Sequence, residues 1–325
     1  MASAPGKVIL FGEHAVVYGH PAIAAATDQR TVVEVDCCGD RTTVNGYRIH
    51  DRYHSYLLTA VERVWARADP VRIQTEGGVP SASGTGSSAA LTVACVAALR
   101  RLQMKEDTPG LAQSAFEVER ATQGGGSPTD TSTSSAGGGI AISSSLDPPK
   151  VGSKLWDVAW NVAGEERSWT VERVEMPPLT VVIGNSGVKG RTDEQVAKVA
   201  NAAKKNAVVR DSLAEIGALT RDAVPVLRRK DWAAVGALMD RAHSRLHTLG
   251  VNHPAVEALI QKVRQVPGTL GAKLTGAGGG GSCVVLTDRP TAAAKAITEA
   301  GGTAYSVTLG SPGARIEGLT PAECA

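Results

Sequence analysis

No stretch of this chain reaches about 18 consecutive apolar residues, the length a helix needs to cross a membrane. No excess of one charge is present either. The 34 basic residues face 32 acidic ones, for a formal net charge of +2. That balance leaves no basic footprint for nucleic acid and no polybasic face for a membrane surface. Cysteines occur at 37, 38, 95, 283 and 324, an odd count with no CxxC among them. A disulfide framework and a zinc knuckle both lose support, and the pattern reads as free thiols in a reducing cytoplasm. The amino terminus lacks the apolar centre of a secretion signal: Val8 to Phe11 is too short and runs at once into Gly12, Glu13 and His14. No internal repeat of about 20 to 50 residues is visible.

Glycine is what the chain has in excess, at 36 of 325 residues, clustered rather than periodic. Clustered glycines suit loops that wrap a ligand with backbone. The length and the 42% hydrophobic content suit two domains of ordinary size. Residues 8–11, 31–36 and 71–75 read as strands. Residues 52–67 have helical spacing, with Tyr56, Leu57, Ala60, Val61 and Val64 on one face. After a small-residue loop, Leu91 to Leu102 reads as a buried helix, and Thr108 followed by proline starts another that runs to about Thr122. A second small-residue loop spans residues 123–138 and leads into a strand at 139–143.

Between 146 and 178, Trp156, Val158, Trp160 and Val162 alternate with polar residues, as do Trp169 and Val171. This predicts a β-hairpin with one buried face. Packing on its own domain is the ordinary use of such a face; a cover for a site or a homodimer contact is the alternative. Beyond residue 179 come a strand, helices near 192–206, 208–223, 231–247 and 254–265, a strand–loop–strand unit around Lys273 to Asp288, a helix at 290–300 and a strand at 303–309. Strands and helices mixed in both halves predict an α+β chain of two domains, 1–178 and 179–325.

Three segments carry the chemistry. In Pro80 to Ala90, glycines let backbone N–H groups approach an anion, and the following helix offers its free N–H groups and positive dipole end. Ser87 and Ser88 add hydroxyls, so a triphosphate is the natural ligand; a tight strand-to-helix turn is the plainer reading. Gly84, Gly86 and Ala89 also match a dinucleotide fingerprint, but Glu106 and Asp107, at the right distance for its acidic residue, have no strand before them. Gly6-Lys7 is followed by valine, so there is no P-loop. At the amino terminus, Lys7 stands at the entrance of a strand, with Glu13 and His14 at its exit. In Glu117 to Thr131, Glu119 lies near a helix end and Asp130 in the loop beyond. Two carboxylates with a lysine suit metal-assisted phosphoryl transfer. His243 and His247 share a helix face, but no third ligand and no HExxH glutamate accompany them, so a solvated or substrate-side face is expected.

Together, Ala4-Pro-Gly-Lys7 with Gly12-Glu-His14, Pro80 through Ser87-Ser-Ala-Ala90, and Lys273-Leu-Thr-Gly-Ala-Gly-Gly-Gly-Gly281 resemble the three motifs of GHMP kinases, in order and in spacing. Gly12-Glu-His-Ala-Val-Val-Tyr-Gly19, the Ser-Pro-Thr-Asp around Asp130 and Leu249 to Pro254 resemble the archaeal-type mevalonate kinases within that family. The resemblance implies an N-terminal ribosomal-S5-like α+β domain, a C-terminal ferredoxin-like one, and a site in the cleft between them. It implies a cytoplasmic, Mg²⁺-dependent kinase that takes ATP and mevalonate. A sister kinase acting on phosphomevalonate or another hydroxylated substrate is the alternative, as is an inactive ligand sensor. Retention of Lys7, Ser88, Glu119 and Asp130 speaks against the sensor.

Roles carry over residue by residue. Asp130 looks like the catalytic aspartate, and Lys7 like the lysine that contacts it and the reacting hydroxyl. Ser88 and Glu119 look like the Mg²⁺ ligands. Pro80, Ser83, Gly84, Thr85, Gly86, Ser87, Ser88 and Ala89 fall in the ATP-binding loop. Glu13, His14 and Ala277, with Asp130, fall where the family approaches its acceptor. There His14 is expected to act as a hydrogen-bond donor, with Val16, Val17 and Ala277 as apolar lining. The run Gly124 to Gly126 is looser than the family pattern.

Overall fold

The computed structural model describes residues 1–37, 40–65, 67–79, 84–124, 126–144, 151–162 and 165–318, with backbone alone at 161, 162, 165 and 166. Strand β1 (Ala2–Phe11) is buried along nearly its whole length and pairs antiparallel with β2 (Ala22–Asp36). The turn between them contains a short 3₁₀ helix, Ala15–Tyr18. The hairpin β3 (Thr43–Val44) and β4 (Tyr47–Arg48) follows, then α1 (Asp51–Ala60), which continues as one π-helical turn, Val61–Trp65. Strand β5 (Arg72–Gly77) pairs with the second half of β2. Both early strands thus run longer than the 8–11 and 31–36 expected. They are flanked by small or polar residues that β-propensity does not flag but burial between neighbours accommodates.

Helix α2 (Ser87–Leu102) starts four residues before the expected Leu91 and lies on β1 and β2. Its buried face is mostly Ala, Val and Cys, side chains small enough for a close approach to a sheet that is itself alanine-rich at Ala22–Ala26. Arg100 and Arg101 in its last turn face the negative end of its dipole. Helix α3 (Thr108–Gln123) is capped by Asp107, whose carboxylate accepts from the Gly110 N–H at 2.6 Å.

The second small-residue stretch is not all loop. Thr129–Ala136 forms helix α4, so Asp130 lies in a first helical turn rather than in a loop. Strand β6 (Gly139–Ser144) then pairs with the first half of β2, at Ala22–Ala25. The expected hairpin is present as β7 (Ser153–Val162) and β8 (Glu165–Val174), joined to the sheet through β6. Its buried face holds Trp156, Val158, Trp169 and Val171, packed with Phe116 of α3; the Val162 side chain lies outside the described residues. Phe116 meets Trp169 edge-on at 5.6 Å.

Strand β9 (Leu179–Asn185) opens the second half. Helices α5 (Thr192–Lys205), α6 (Ala207–Arg228), α7 (Trp232–Thr248) and α8 (Pro254–Arg264) follow. Then come β10 (Thr269–Thr275), β11 (Ser282–Thr287), α9 (Pro290–Glu299) and β12 (Thr303–Leu309). The four strands form an antiparallel sheet in the order β10-β11-β9-β12, the ferredoxin-like arrangement. Strand β13 (Arg315–Ile316) returns to pair with β1. The halves share a core: Val8, Leu10, Phe11 and Ile23 pack in one cluster with Leu219, Leu227, Val307 and Leu309. Cys95 and Cys283 are free and buried, Cys37 free and exposed, and Cys38 and Cys324 lie outside the described residues. Among the described residues no helix is long and apolar enough to cross a membrane.

Candidate active site

Lys7 lies in the middle of β1 rather than at its entrance, and its side chain is 4% exposed. Its backbone N–H donates to the carbonyl of Thr85 at 2.8 Å, clasping the strand to the loop before α2. Its side chain then passes Gly86, the residue before α2, which has φ +77°. A Cβ there would fall 2.7 Å from Lys7 Cγ, so glycine is needed for both backbone and space. The lysine ends 2.9 Å from Asp130 Oδ1. Helix α4 presents that carboxylate from its first turn, at the positive end of its dipole.

Glu119 projects from α3 into the same place. It is buried, and its Oε2 has no hydrogen-bond partner among the described residues. Burial, reinforced by the nearby Asp130 and opposed by Lys7 and Thr131, pushes its carboxyl up to about 8. A buried carboxylate oxygen with no hydrogen-bond partner among the described residues fits a divalent cation, and Ser88 lines the same cleft and offers a hydroxyl. Tyr56 of α1 closes this corner. Its hydroxyl is hydrogen-bonded by Gln123 and Ser88, and burial pushes its ionisation up.

At the exit of β1, Glu13 is ion-paired with Lys273 of β10, and both side chains are almost wholly buried. His14 bonds through Nε2 to the Ala277 carbonyl at 2.8 Å. A carbonyl only accepts, so Nε2 carries the hydrogen. Burial also holds the ring below its ordinary ionisation range. The other nitrogen, Nδ1, is therefore an acceptor, and the donor role expected of His14 is reversed. Residues 276–281 join β10 to β11 as a glycine loop tied down by backbone. The Gly279 N–H donates to Val251 O at 2.7 Å and the Gly281 N–H to Val188 O at 2.8 Å.

These parts enclose one cleft of about 560 Å³, within the range of small-molecule sites. Lys7, Glu13, His14, Val16, Val17, Gly84, Gly86, Ser87, Ser88, Glu119, Asp130 and Ala277 all line it. The Thr85 and Ala89 side chains do not; both are buried. Pro80 and Ser83 lie outside the described residues. His243 is buried and bonded to Glu257 Oε2 at 3.0 Å and to the Leu274 N–H at 3.3 Å, rather than on a solvated or substrate-side face. Among the described residues no group of three His, Cys, Asp or Glu side chains is placed to hold a metal.

Residues 54–138 match the family profile "GHMP kinases N terminal domain", and residues 223–306 match "GHMP kinases C terminal". A mevalonate kinase of Methanothermobacter thermautotrophicus is 33% identical over 292 residues, covering 87% of this chain and 88% of that protein. One of Thermococcus onnurineus is 32% identical over 99% of both chains. The chain belongs to the GHMP kinase family. The solved L. major mevalonate kinase, in complex with R-mevalonate, has the same fold as this GHMP kinase: TM-score 0.78 at 24% identity over 95% of each chain. The Methanococcus jannaschii enzyme gives 0.75 at 23% identity, over 95% of this chain and 98% of its own.

Four residues of the site in this GHMP kinase escaped sequence reasoning as functional positions: Tyr56, Lys189, Thr192 and Lys273. Lys189 reaches the cleft from the loop after β9 and Thr192 from the start of α5, where nothing local marks them. Tyr56 read as one member of an apolar helix face. Lys273 stands inside a quoted motif, yet its partner is 260 positions away.

Proposed function

We propose that this GHMP kinase transfers the γ-phosphoryl group of ATP to the primary hydroxyl of (R)-mevalonate, giving 5-phosphomevalonate and ADP. The observation that carries the transfer is the Lys7–Asp130 pair, 2.9 Å apart on the wall of the cleft. The relatives named mevalonate kinase, 32–33% identical over most of the chain, support the choice of acceptor.

Asp130 receives the hydroxyl proton as the new O–P bond forms and the bond from γ-phosphorus to the β–γ bridging oxygen breaks. The ammonium of Lys7 stabilises negative charge developing on the attacking oxygen. The N–H groups at the start of α2, with Ser87, hold the phosphates. Ser88 and Glu119 would hold Mg²⁺, which, when bound, neutralises charge on the transferring phosphates. Val16, Val17 and Ala277 give the methyl-bearing end of the acceptor an apolar wall, and Lys189, which also lines the cleft, offers its carboxylate a cation. A sugar would need polar partners where Ala15-Val16-Val17 offers none.

ADP release measured with mevalonate, phosphomevalonate, galactose and homoserine tests the reading. Mevalonate should be preferred by at least ~10³-fold in kcat/KM over galactose and homoserine. Comparable turnover of either would remove the substrate assignment and leave the kinase. Asp130→Asn should lower kcat by at least ~10²-fold with little change in KM for ATP; a variant keeping half its activity would remove Asp130 as the base.

A further inference from the structure

Lys273 is fully buried and has no part in the transfer itself. It sits in β10 just before the glycine loop, and its ammonium is bonded to Glu13 Oε1 and, at 2.7 Å, to the carbonyl of Leu274. Burial is the dominant influence on both partners, raising Glu13 and lowering Lys273, and each is countered by the charge of the other. A buried pair of this kind is a weak source of net stability compared with apolar side chains of similar size. Its position shows a use. One oxygen of Glu13 is taken by Lys273. The other, Oε2, is buried, has no partner among the described residues, and belongs to a residue lining the cleft. His14 Nδ1, beside it in sequence, is also buried and without a partner among the described residues. Two residues of this wall therefore each carry a buried acceptor with no partner among the described residues. A substrate carboxylate, itself only an acceptor, cannot satisfy either; a substrate hydroxyl can.

We propose that Lys273 is a positioning residue for acceptor recognition: it grips one oxygen of Glu13 so that the other, together with His14 Nδ1, offers acceptors to a substrate hydroxyl other than the one phosphorylated. This rests on the mevalonate reading, in which that group is the tertiary hydroxyl. The carboxylate of the acceptor then lies away from Glu13, towards Lys189. Without Lys273, Glu13 loses the cation that opposes its burial, takes up a proton and becomes a donor as well, and the wall no longer selects for a hydroxyl.

The test compares two acceptors, mevalonate and 5-hydroxy-3-methylpentanoate. The second keeps the carboxylate, the methyl group and the primary hydroxyl and lacks only the tertiary hydroxyl. Wild type should prefer mevalonate by at least ~10³-fold in kcat/KM, because the analogue leaves buried acceptors unpaired. Lys273→Met should shrink that preference to within ~10-fold, through a higher KM for mevalonate with KM for ATP unchanged. A general loss of structure would lower both acceptors together and leave the ratio intact. Should Lys273→Met not fold, Glu13→Gln decides instead, since its amide turns a donor to the cleft and should shrink the same ratio. A folded Lys273→Met or Glu13→Gln that keeps the wild-type ratio overturns the proposal, as does a wild type indifferent to the missing hydroxyl. A wild type that turns over neither acceptor defeats the mevalonate reading, and this proposal with it; wild-type activity on mevalonate alone tells the two failures apart.

Discussion

Glu119 is held by its surroundings more than by its sequence position. Its carboxyl titrates near 8 in the folded protein against about 4.5 when exposed, so at intermediate pH the folded state carries a proton that the unfolded state has lost. This contribution to stability is complete below about pH 4.5 and is lost as the pH rises through about 8. Urea denaturation in EDTA should therefore show a stability that declines between about pH 4.5 and about 8, and Glu119→Gln, with no proton to lose, should flatten that decline. The same substitution should raise the Mg²⁺ concentration needed for half-maximal activity, read from a metal titration. An identical titration would remove Glu119 from the metal site. Lys7 gives a second residue-scale expectation. Lys7→Met should lower kcat more than it raises either KM, and Lys7→Arg should recover only part, because a planar fork does not replace a compact ammonium beside Asp130. Full activity in the arginine variant would reduce Lys7 to a structural charge. These side chains were legible because their motifs put the right chemistry at the right spacing. The hydrogen-bond direction of His14 was not, since it depends on the carbonyl of Ala277, 263 positions along the chain.

Elements with a strong period were legible and those built from small polar residues were not. The alternation of Trp156, Val158 and Trp160 located β7, and the capped, proline-started pattern at Thr108 located α3. Helix α4 has the composition of a loop, because serine and threonine hydroxyls compete locally for backbone groups. It is helical because it is enclosed: Thr131, Ser132, Thr133 and Ser134 are all fully buried, and in an enclosed segment the helix satisfies the backbone. Where α2 begins was equally hidden, since Gly86 takes its positive φ beside Lys7, a contact outside its own segment. Gly86→Ala should strain that corner and displace the lysine. We expect at least a ~10-fold fall in kcat with a smaller change in melting temperature, measured on the same preparation. The hairpin gives a contrasting expectation. Trp169→Ala removes the ring packed edge-on against Phe116 and should cost about 3–5 kcal/mol in chemical denaturation.

At the scale of the whole molecule, the two family modules do not make two independent bodies. Residues of β1 and β2 share a core cluster with α6 and β12, and β13 returns from the second half to the edge of β1. The sequence announced two patterns of elements but not this shared core, whose partners are some 200 positions or more apart, as Leu10 and Leu219 illustrate. Calorimetry should accordingly give one transition, with calorimetric and van't Hoff enthalpies in agreement; two resolved transitions would show that the shared core does not couple the halves. The buried thiols offer a way to watch the same property from inside. Cys95 belongs to the core under α2 and Cys283 to the core of the second sheet, and burial pushes both thiols up to about 12. An alkylating reagent needs both access and a thiolate, so each sulfur is silent until its own core opens. Cys95 and Cys283 thus serve as internal clocks, one in each half. Their ticking rates under native conditions, read separately by peptide mass, report the opening free energy of each half without any label being introduced.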